Sequence, residues 1–142
     1  MAKIQSHTTS NVNTIAQYAS AKALENQELE EVISERREIY QARRDLTAEL
    51  LSDIKGLEAI KPAGAFYFFI DISELISKKI EGHEIKDSLS FTDLLLDYNK
   101  VAVVPGIAFG MDNFIRISFA LGEDRIREGI KRIKDFVDSL EA

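Results

Sequence analysis

The sequence predicts an α+β fold in which a small, mostly antiparallel sheet packs against helices in two layers. β-rich segments occur in two pairs, at residues 57–72 and 101–120, and each pair contains a turn with proline and glycine. A long helical pattern precedes the first pair, and an amphipathic helical pattern follows the second. Strands grouped in this way, rather than alternating singly with helices, favour an antiparallel sheet with helices on one side.

The composition predicts one ordinary domain over residues 1–142, with 45% hydrophobic and 30% charged residues. The formal net charge of −6 argues against a nucleic acid or a membrane as partner, because both would need a basic face. No apolar run approaches the about 20 residues of a membrane-spanning helix, and the N-terminus lacks the apolar core of a signal peptide. Cysteine is absent. We therefore expect a cytoplasmic protein without disulfides.

The N-terminal segment is predicted to be a polar loop followed by two helices. Residues 4–13 are rich in hydroxyl and amide side chains, which compete with the backbone for hydrogen bonds and favour a loop. The first helix then runs to about Leu24. Three residues are candidates for its N-cap: Ser10, Asn11 and Asn13. After an interruption at Asn26-Gln27, the second and longer helix begins at Glu28 and is expected to end at Gly56 as its C-cap.

The middle of the chain is predicted to hold two strands and two helices. Residues 57–60 form a short strand, and residues 65–72 form an aromatic strand whose two apolar faces are both expected to be covered. A short helix is expected over Glu74–Ile80, and an exposed loop over residues 81–88. Ser90 is expected to open the next helix, which ends near Asn99.

The last strand pair carries an arginine inside an apolar run. Val101–Val104 and Phe114–Ala120 are the predicted strands, and an amphipathic helix over Glu123–Leu140 follows them. Alternation places Arg116 on one strand face together with Phe114, Ser118 and Ala120. A guanidinium there is either a surface charge, which is the commoner case, or a receptor that binds a carboxylate with its planar fork of N–H donors.

No other residue suggests a catalytic set. His7 and His83 lie in polar segments without a further metal ligand nearby, so we expect both to be exposed and expect no metal site. Asp71, at a strand end, is interpreted as a helix-capping or turn residue. A solvated helix face is the simplest interpretation of three acidic residues, Glu30, Glu31 and Glu35. The sequence has no nucleotide-binding glycine fingerprint and no Gly-x-Ser-x-Gly elbow.

Four sequence blocks, taken together, resemble a known family. They are QSHTTSNVNTIAQ (Gln5–Gln17), KPAGAFYFFIDIS (Lys61–Ser73), VAVVPGIAFG (Val101–Gly110) and IRISFA (Ile115–Ala120). In this order and spacing they are similar to the C-terminal part of the class I/II aminotransferases, nearest to the aspartate aminotransferases. The resemblance implies the C-terminal small domain of a fold-type-I enzyme. It covers essentially the whole chain.

The resemblance also implies functional residues and partners. Such enzymes are pyridoxal-phosphate-dependent homodimers, and here the activity would be amino-group transfer between L-aspartate and 2-oxoglutarate. Arg116 would bind the substrate α-carboxylate, and Phe66 would lie near the bound substrate. Ser10 and Asn11 would lie near the active site of the partner subunit. Val12 departs from the family pattern, which commonly has proline at this position.

The resemblance places the cofactor lysine, the large cofactor-binding domain and the N-terminal arm upstream of Gln5. We therefore expect a fragment that has no catalytic or cofactor-binding residue of its own, does not hold pyridoxal phosphate and is inactive alone. Three alternatives stay open. They are another fold-type-I aminotransferase or lyase, a non-catalytic effector domain of a transcription regulator, and a small amino-acid-binding regulatory domain.

Overall fold

The computed structural model of the chain describes residues 2–26 and 28–141. These residues form two compact units, one up to Glu38 and the other from Ile39 onward. Of the predicted interruption at Asn26-Gln27, Asn26 is non-helical, as predicted, and Gln27 lies outside the described residues. The prediction of a single domain over residues 1–142 stays a prediction.

The first unit contains helix α1 (Ala2–Thr8), helix α2 (Thr14–Glu25) and the beginning of helix α3 (Glu28–Ser52). The prediction of a loop over residues 4–13 was wrong for the part that α1 occupies. Hydroxyl groups in and just after α1 donate to carbonyl oxygens three or four residues earlier, so they are satisfied without breaking the helix. These donors are Ser6, Thr8 and Thr9. Asn13 is the N-cap of α2, where its side chain accepts from the Ala16 N–H at 3.1 Å.

Helix α3 ends earlier than its sequence pattern predicts. Its last residue is Ser52, so the expectation of Gly56 as the C-cap was wrong. Gly56 instead occupies a turn with a φ of 85°, in the left-handed region that favours glycine. In the second unit the last turns of α3 bury Thr47 and Leu51 in the core.

The second unit is built on a four-stranded antiparallel sheet, as predicted. Its strands are β1 (Glu58–Ala59), β2 (Tyr67–Asp71), β5 (Val104–Pro105) and β6 (Phe114–Ser118), in the order β1-β2-β6-β5. Strand β6 therefore lies inside the sheet, with Arg116 opposite Phe69 on one side and opposite Val104 on the other. Strand β5 is only two residues long, shorter than the predicted Val101–Val104 and shifted to the end of that segment.

Two helices pack against one face of this sheet: α4 (Ser88–Asn99) and α5 (Glu123–Asp138). The core joins alternate residues of β2 and β6 to the apolar stripes of the helices. On the opposite sheet face Tyr67 and Phe69 are only half-buried. The described residues therefore cover this face in part, whereas the sequence predicted cover on both faces.

The segment between β2 and α4 differs from its prediction. In place of a helix over residues 74–80 and a loop over residues 81–88, a three-residue 3₁₀ turn is followed by a β-hairpin, β3 (Lys79–Ile80) and β4 (His83–Glu84). The turn residues Glu81 and Gly82 have φ values of 49° and 84°. Two positive φ values are typical of the tight hairpin turn whose twist matches that of the strands. The hairpin buries Ile80 in the core.

Asp87 forms the N-cap of α4, and Ser90, predicted to open this helix, is its third residue instead. The Asp87 carboxylate accepts from the Ser90 N–H at 2.7 Å, and the Ser90 hydroxyl accepts from the Asp87 N–H at 3.0 Å. We expect Asp87→Ala to lower the free energy of unfolding by about 1 kcal/mol. Urea unfolding near neutral pH measures this loss, and Asp87→Asn, which keeps the cap, should lose only a few tenths of a kcal/mol.

The same cap predicts a dependence of stability on pH. Hydrogen bonds from the Ser90 backbone and then its hydroxyl lower the pKa of Asp87 below its ordinary value of 3.8. A lowered folded-state pKa adds stability above the unfolded value, and that stability is lost as the pH falls through the folded pKa. The difference in the free energy of unfolding between the wild type and Asp87→Ala should therefore become smaller below about pH 4. A difference that stays constant or widens there would contradict a charged cap.

Candidate functional site

Arg116 lies at the centre of β6 on the sheet face that the helices do not cover. Its neighbours in sequence, Ile115 and Ile117, point into the core, as strand alternation predicted. Arg116 itself is half-buried. Every ion pair found among the described residues lies elsewhere in the chain, so Arg116 is not neutralised by a carboxylate of these residues.

Aromatic rings, rather than carboxylates, surround the guanidinium of Arg116. Its central carbon Cζ lies 4.2 Å from the ring centre of Tyr67 and 4.4 Å from that of Phe109. Both distances are short enough for cation–π attraction. The Nε of Arg116 is buried and has no hydrogen-bond partner in the described part of the chain. A buried N–H without an acceptor is costly, so the site favours a ligand that supplies one.

A pocket of about 220 Å³ lies at the edge of β6, where the short strand β5 ends, and its lining comes from both sheet faces: Tyr67 and Arg116 from the open face, and Ile117 and α5 from the helix-covered face. Residues of α5 and residues 101–104 supply most of its lining. The charged groups that line it among the described residues are two arginines, Arg116 and Arg125. An apolar wall with positive charges suits a small organic anion, because exclusion of water strengthens the bond between a guanidinium and a carboxylate.

Phe66, predicted to lie near a substrate, precedes β2 and is 40% exposed. Its carbonyl oxygen accepts from the Phe119 N–H at 3.0 Å, which fixes the backbone of Phe66 to the end of β6. Its ring centre lies 4.3 Å from that of Tyr67, the ring that contacts Arg116. The structure therefore brings Phe66 and Arg116 to the same group of side chains. Their role in substrate binding stays a prediction.

Ser10 and Asn11 belong to the first unit, between α1 and α2, and both are exposed. Ser10 has a φ of 61°, and the Asn11 side-chain amide donates to the Val12 carbonyl oxygen at 3.2 Å. The same Val12 oxygen accepts from the Gln17 side chain at 2.8 Å, so this turn is ordered with valine at the position where the family pattern has proline. The expectation that these residues approach a partner subunit stays a prediction.

The remaining sequence predictions concern residues away from this site. His7 and His83 are exposed, and no cluster of potential metal ligands is found among the described residues. Asp71 is the last residue of β2, and its carboxylate accepts from the Ser73 N–H at 2.7 Å, which agrees with the predicted helix-capping or turn role. The side chains of Glu30, Glu31 and Glu35 are exposed, which agrees with the prediction that they form a solvated helix face. No described helix is long and apolar enough to cross a membrane.

Sequence reasoning missed Tyr67 and Phe109 as neighbours of Arg116. Tyr67 was assigned to an aromatic core strand, and Phe109 to a glycine-rich turn. Strand alternation supplies a signal for Tyr67, since it shares a face with Phe69, which pairs with Arg116 across the two strands. No local pattern shows that the turn after β5 brings Phe109 to the same guanidinium.

Known proteins resemble this chain over nearly its whole length. The sequence profile of the family described as aminotransferase class I and II matches residues 1–133. A probable aspartate/prephenate aminotransferase of Aquifex aeolicus is 42% identical over 140 residues, which are 99% of this chain and 34% of that protein. The aspartate/prephenate aminotransferase of Cereibacter sphaeroides is 42% identical over 141 residues, 99% of this chain and 35% of that protein.

A solved structure shows the same fold. The crystal structure of the aspartate aminotransferase from Rhizobium meliloti matches with a TM-score of 0.87 and 40% identity, over 97% of this chain and 34% of that one. The chain thus spans about a third of the length of the curated relatives it matches. The similarity agrees with the predicted resemblance to the small domain of fold-type-I enzymes.

Proposed function

The chain belongs to the class I and II aminotransferase family, and from this premise we propose that it is the C-terminal, substrate-binding part of a longer aspartate aminotransferase. The full polypeptide would transfer the amino group between L-aspartate and 2-oxoglutarate. The similar proteins with aspartate aminotransferase in their names support this proposal. In this proposal, the site beside Arg116 is a carboxylate clamp, which binds the carboxylate of the substrate.

One observation supports this role most directly: Arg116 has a buried Nε that lacks an acceptor among the described residues. Every amino acid and every 2-oxo acid carries a carboxylate next to the reacting carbon. A bidentate bond from the guanidinium to that carboxylate would fix the orientation of the substrate, and so the direction of its Cα–H bond. Phe66 would border the bound substrate through its exposed ring.

Pyridoxal phosphate is the cofactor proposed for the full polypeptide. No lysine lines the pocket among the described residues, so the pocket offers no amine to which an aldehyde cofactor would attach. The residues around Arg116 therefore fit a substrate carboxylate and do not fit the cofactor. We assign no cofactor contact to this chain. A homodimer, with Ser10 and Asn11 near the partner's active site, and a cytoplasmic location are further parts of the proposal taken from the family resemblance.

The full-length polypeptide that carries this chain tests the proposed function. Purified with pyridoxal phosphate, it should convert L-aspartate and 2-oxoglutarate to oxaloacetate and glutamate, which a coupled malate dehydrogenase assay measures. The 142-residue chain alone should show no turnover in the same assay. A full-length protein that binds the cofactor without transaminating aspartate would reject the proposal, and a DNA-binding domain upstream would favour a regulator instead.

Prephenate is a second candidate amino acceptor, because similar proteins from Aquifex aeolicus and Cereibacter sphaeroides have both substrates in their names. Prephenate carries a 2-oxo acid group, so the same contact with Arg116 would serve it. Replacing 2-oxoglutarate with prephenate in an assay with L-aspartate tests this candidate. Formation of arogenate would support it, and unchanged prephenate would exclude it.

A further inference from the structure

The guanidinium of Arg116 has two aromatic neighbours, Tyr67 and Phe109, which we call the aromatic clamp. They come from different elements: Tyr67 begins β2, and Phe109 ends the 3₁₀ turn Gly106–Phe109. Phe109 is 47% exposed although its ring lies 4.4 Å from the arginine. Burial in the core therefore does not explain where this ring lies.

Hydrogen bonds fix the turn that carries Phe109. The hydroxyl of the fully buried Ser88 accepts from the Ile107 N–H at 3.2 Å and lies 2.7 Å from the Asp112 carboxylate, to which it donates. Ser88 also donates its own N–H to the Asp112 backbone oxygen at 2.8 Å. The first turn of α4 thus holds both ends of the segment from Ile107 to Asp112. A second contact on the sheet side places the ring of Phe109 6.1 Å from that of Phe69.

A guanidinium held against ring faces keeps its in-plane N–H donors free for a planar acceptor. Rings also exclude water from the charge, which strengthens a bond to a carboxylate. From this geometry we propose that Tyr67 and Phe109 are positioning residues: they hold Arg116 in the orientation that binds a carboxylate. This inference rests on the proposed function of Arg116 and names the residues that support it.

Phe114 provides a matched control for loss of a ring. It lies two positions before Arg116 on the same face of β6, and its ring stacks on that of Phe69 at 4.8 Å. Among the described residues, the rings found in cation–π contact with Arg116 are those of Tyr67 and Phe109. Phe114→Leu therefore removes a ring from this face without removing a ring that contacts the guanidinium.

The test measures binding of maleate, a dicarboxylate without an amino group, to the full-length polypeptide by calorimetry. Phe109→Leu and Tyr67→Leu should each raise the Kd by about threefold to tenfold, the range of a partly desolvated cation–π contact. Tyr67→Phe, which keeps the ring, and Phe114→Leu should stay within about twofold of the wild type. Nitrogen-15 NMR of the 142-residue chain gives a second measurement. The Arg116 Hε resonance should move in Phe109→Leu and stay in place in Phe114→Leu.

The outcomes separate this inference from the proposed function. If Arg116→Lys weakens maleate binding while Phe109→Leu does not, the positioning role is wrong and the carboxylate clamp stands. If Phe109→Leu and Phe114→Leu weaken maleate binding equally, the positioning role is also wrong, because loss of a ring that does not contact Arg116 would then have the same effect. If Arg116→Lys leaves the Kd unchanged, the proposed function itself fails. An Hε resonance that does not respond to Phe109→Leu counts against the contact.

Discussion

Under the proposed function, replacement of Arg116 by lysine should lower kcat/KM of the full-length polypeptide for L-aspartate by about a hundredfold, the size of effect that a misplaced substrate produces. Lysine keeps the positive charge but offers a compact ammonium in place of a planar fork, so it cannot bind a carboxylate bidentately. It would also lose the planar contact with the rings of Tyr67 and Phe109. Steady-state kinetics with both substrates measures the loss.

The visible absorbance of pyridoxal phosphate, the proposed cofactor, should stay unchanged in Arg116→Lys, because no residue of this chain is assigned to hold it. Arg127→Lys is the matched control. Arg127 is exposed on α5 and is not among the residues that line the pocket, so its replacement should leave kcat/KM within about twofold, the effect expected of a solvent-exposed charge. An unchanged kcat/KM in Arg116→Lys, or an equal loss in Arg127→Lys, would remove Arg116 from its assigned role.

Local patterns were sufficient to predict the parts of the fold that depend on periodicity. The alternation through β6 correctly placed Ile115 and Ile117 in the core and Arg116 on the other face. The steps of three and four along the last helix correctly predicted α5, whose apolar stripe is buried. Both features follow from burying one face of an element, and each element carries that information in its own residues.

Predictions failed where contacts distant in sequence determine the local structure. The hairpin β3–β4 forms because it buries Ile80 against the core, whereas the local pattern was also compatible with a helix. Helix α3 ends at Ser52 and not at Gly56, although Ile54 continues the apolar pattern. In the site, the alternation through β6 predicted the sheet face on which Arg116 lies, but it did not predict which aromatic rings lie next to Arg116. Phe109 reaches Arg116 through a turn that Ser88 of another element holds in place.

The turn that carries Phe109 also contains Gly106, the glycine whose replacement should lower the free energy of unfolding the most. A Cβ on Gly106 would clash with two backbone oxygens, those of Met111 and Phe114. Neither oxygen belongs to a flexible side chain. The Met111 oxygen accepts from the Phe114 N–H at 3.2 Å, and Phe114 begins β6, so relief of the clash would move the turn or the strand that carries Arg116.

We therefore expect Gly106→Ala to lower the free energy of unfolding by about 3 kcal/mol, at the upper end of the usual cost of overpacking. Urea unfolding followed by circular dichroism measures this cost. The same substitution at Gly129, inside α5 where an added methyl group would meet open space, should instead raise stability by about 0.5–1 kcal/mol, because alanine favours the helix. Opposite signs for one chemical change would show that close backbone packing at Gly106, rather than a general loss of glycine, fixes the turn. A loss below about 1 kcal/mol at Gly106 would mean that the turn yields easily, and it would then be too soft to hold Phe109 against Arg116.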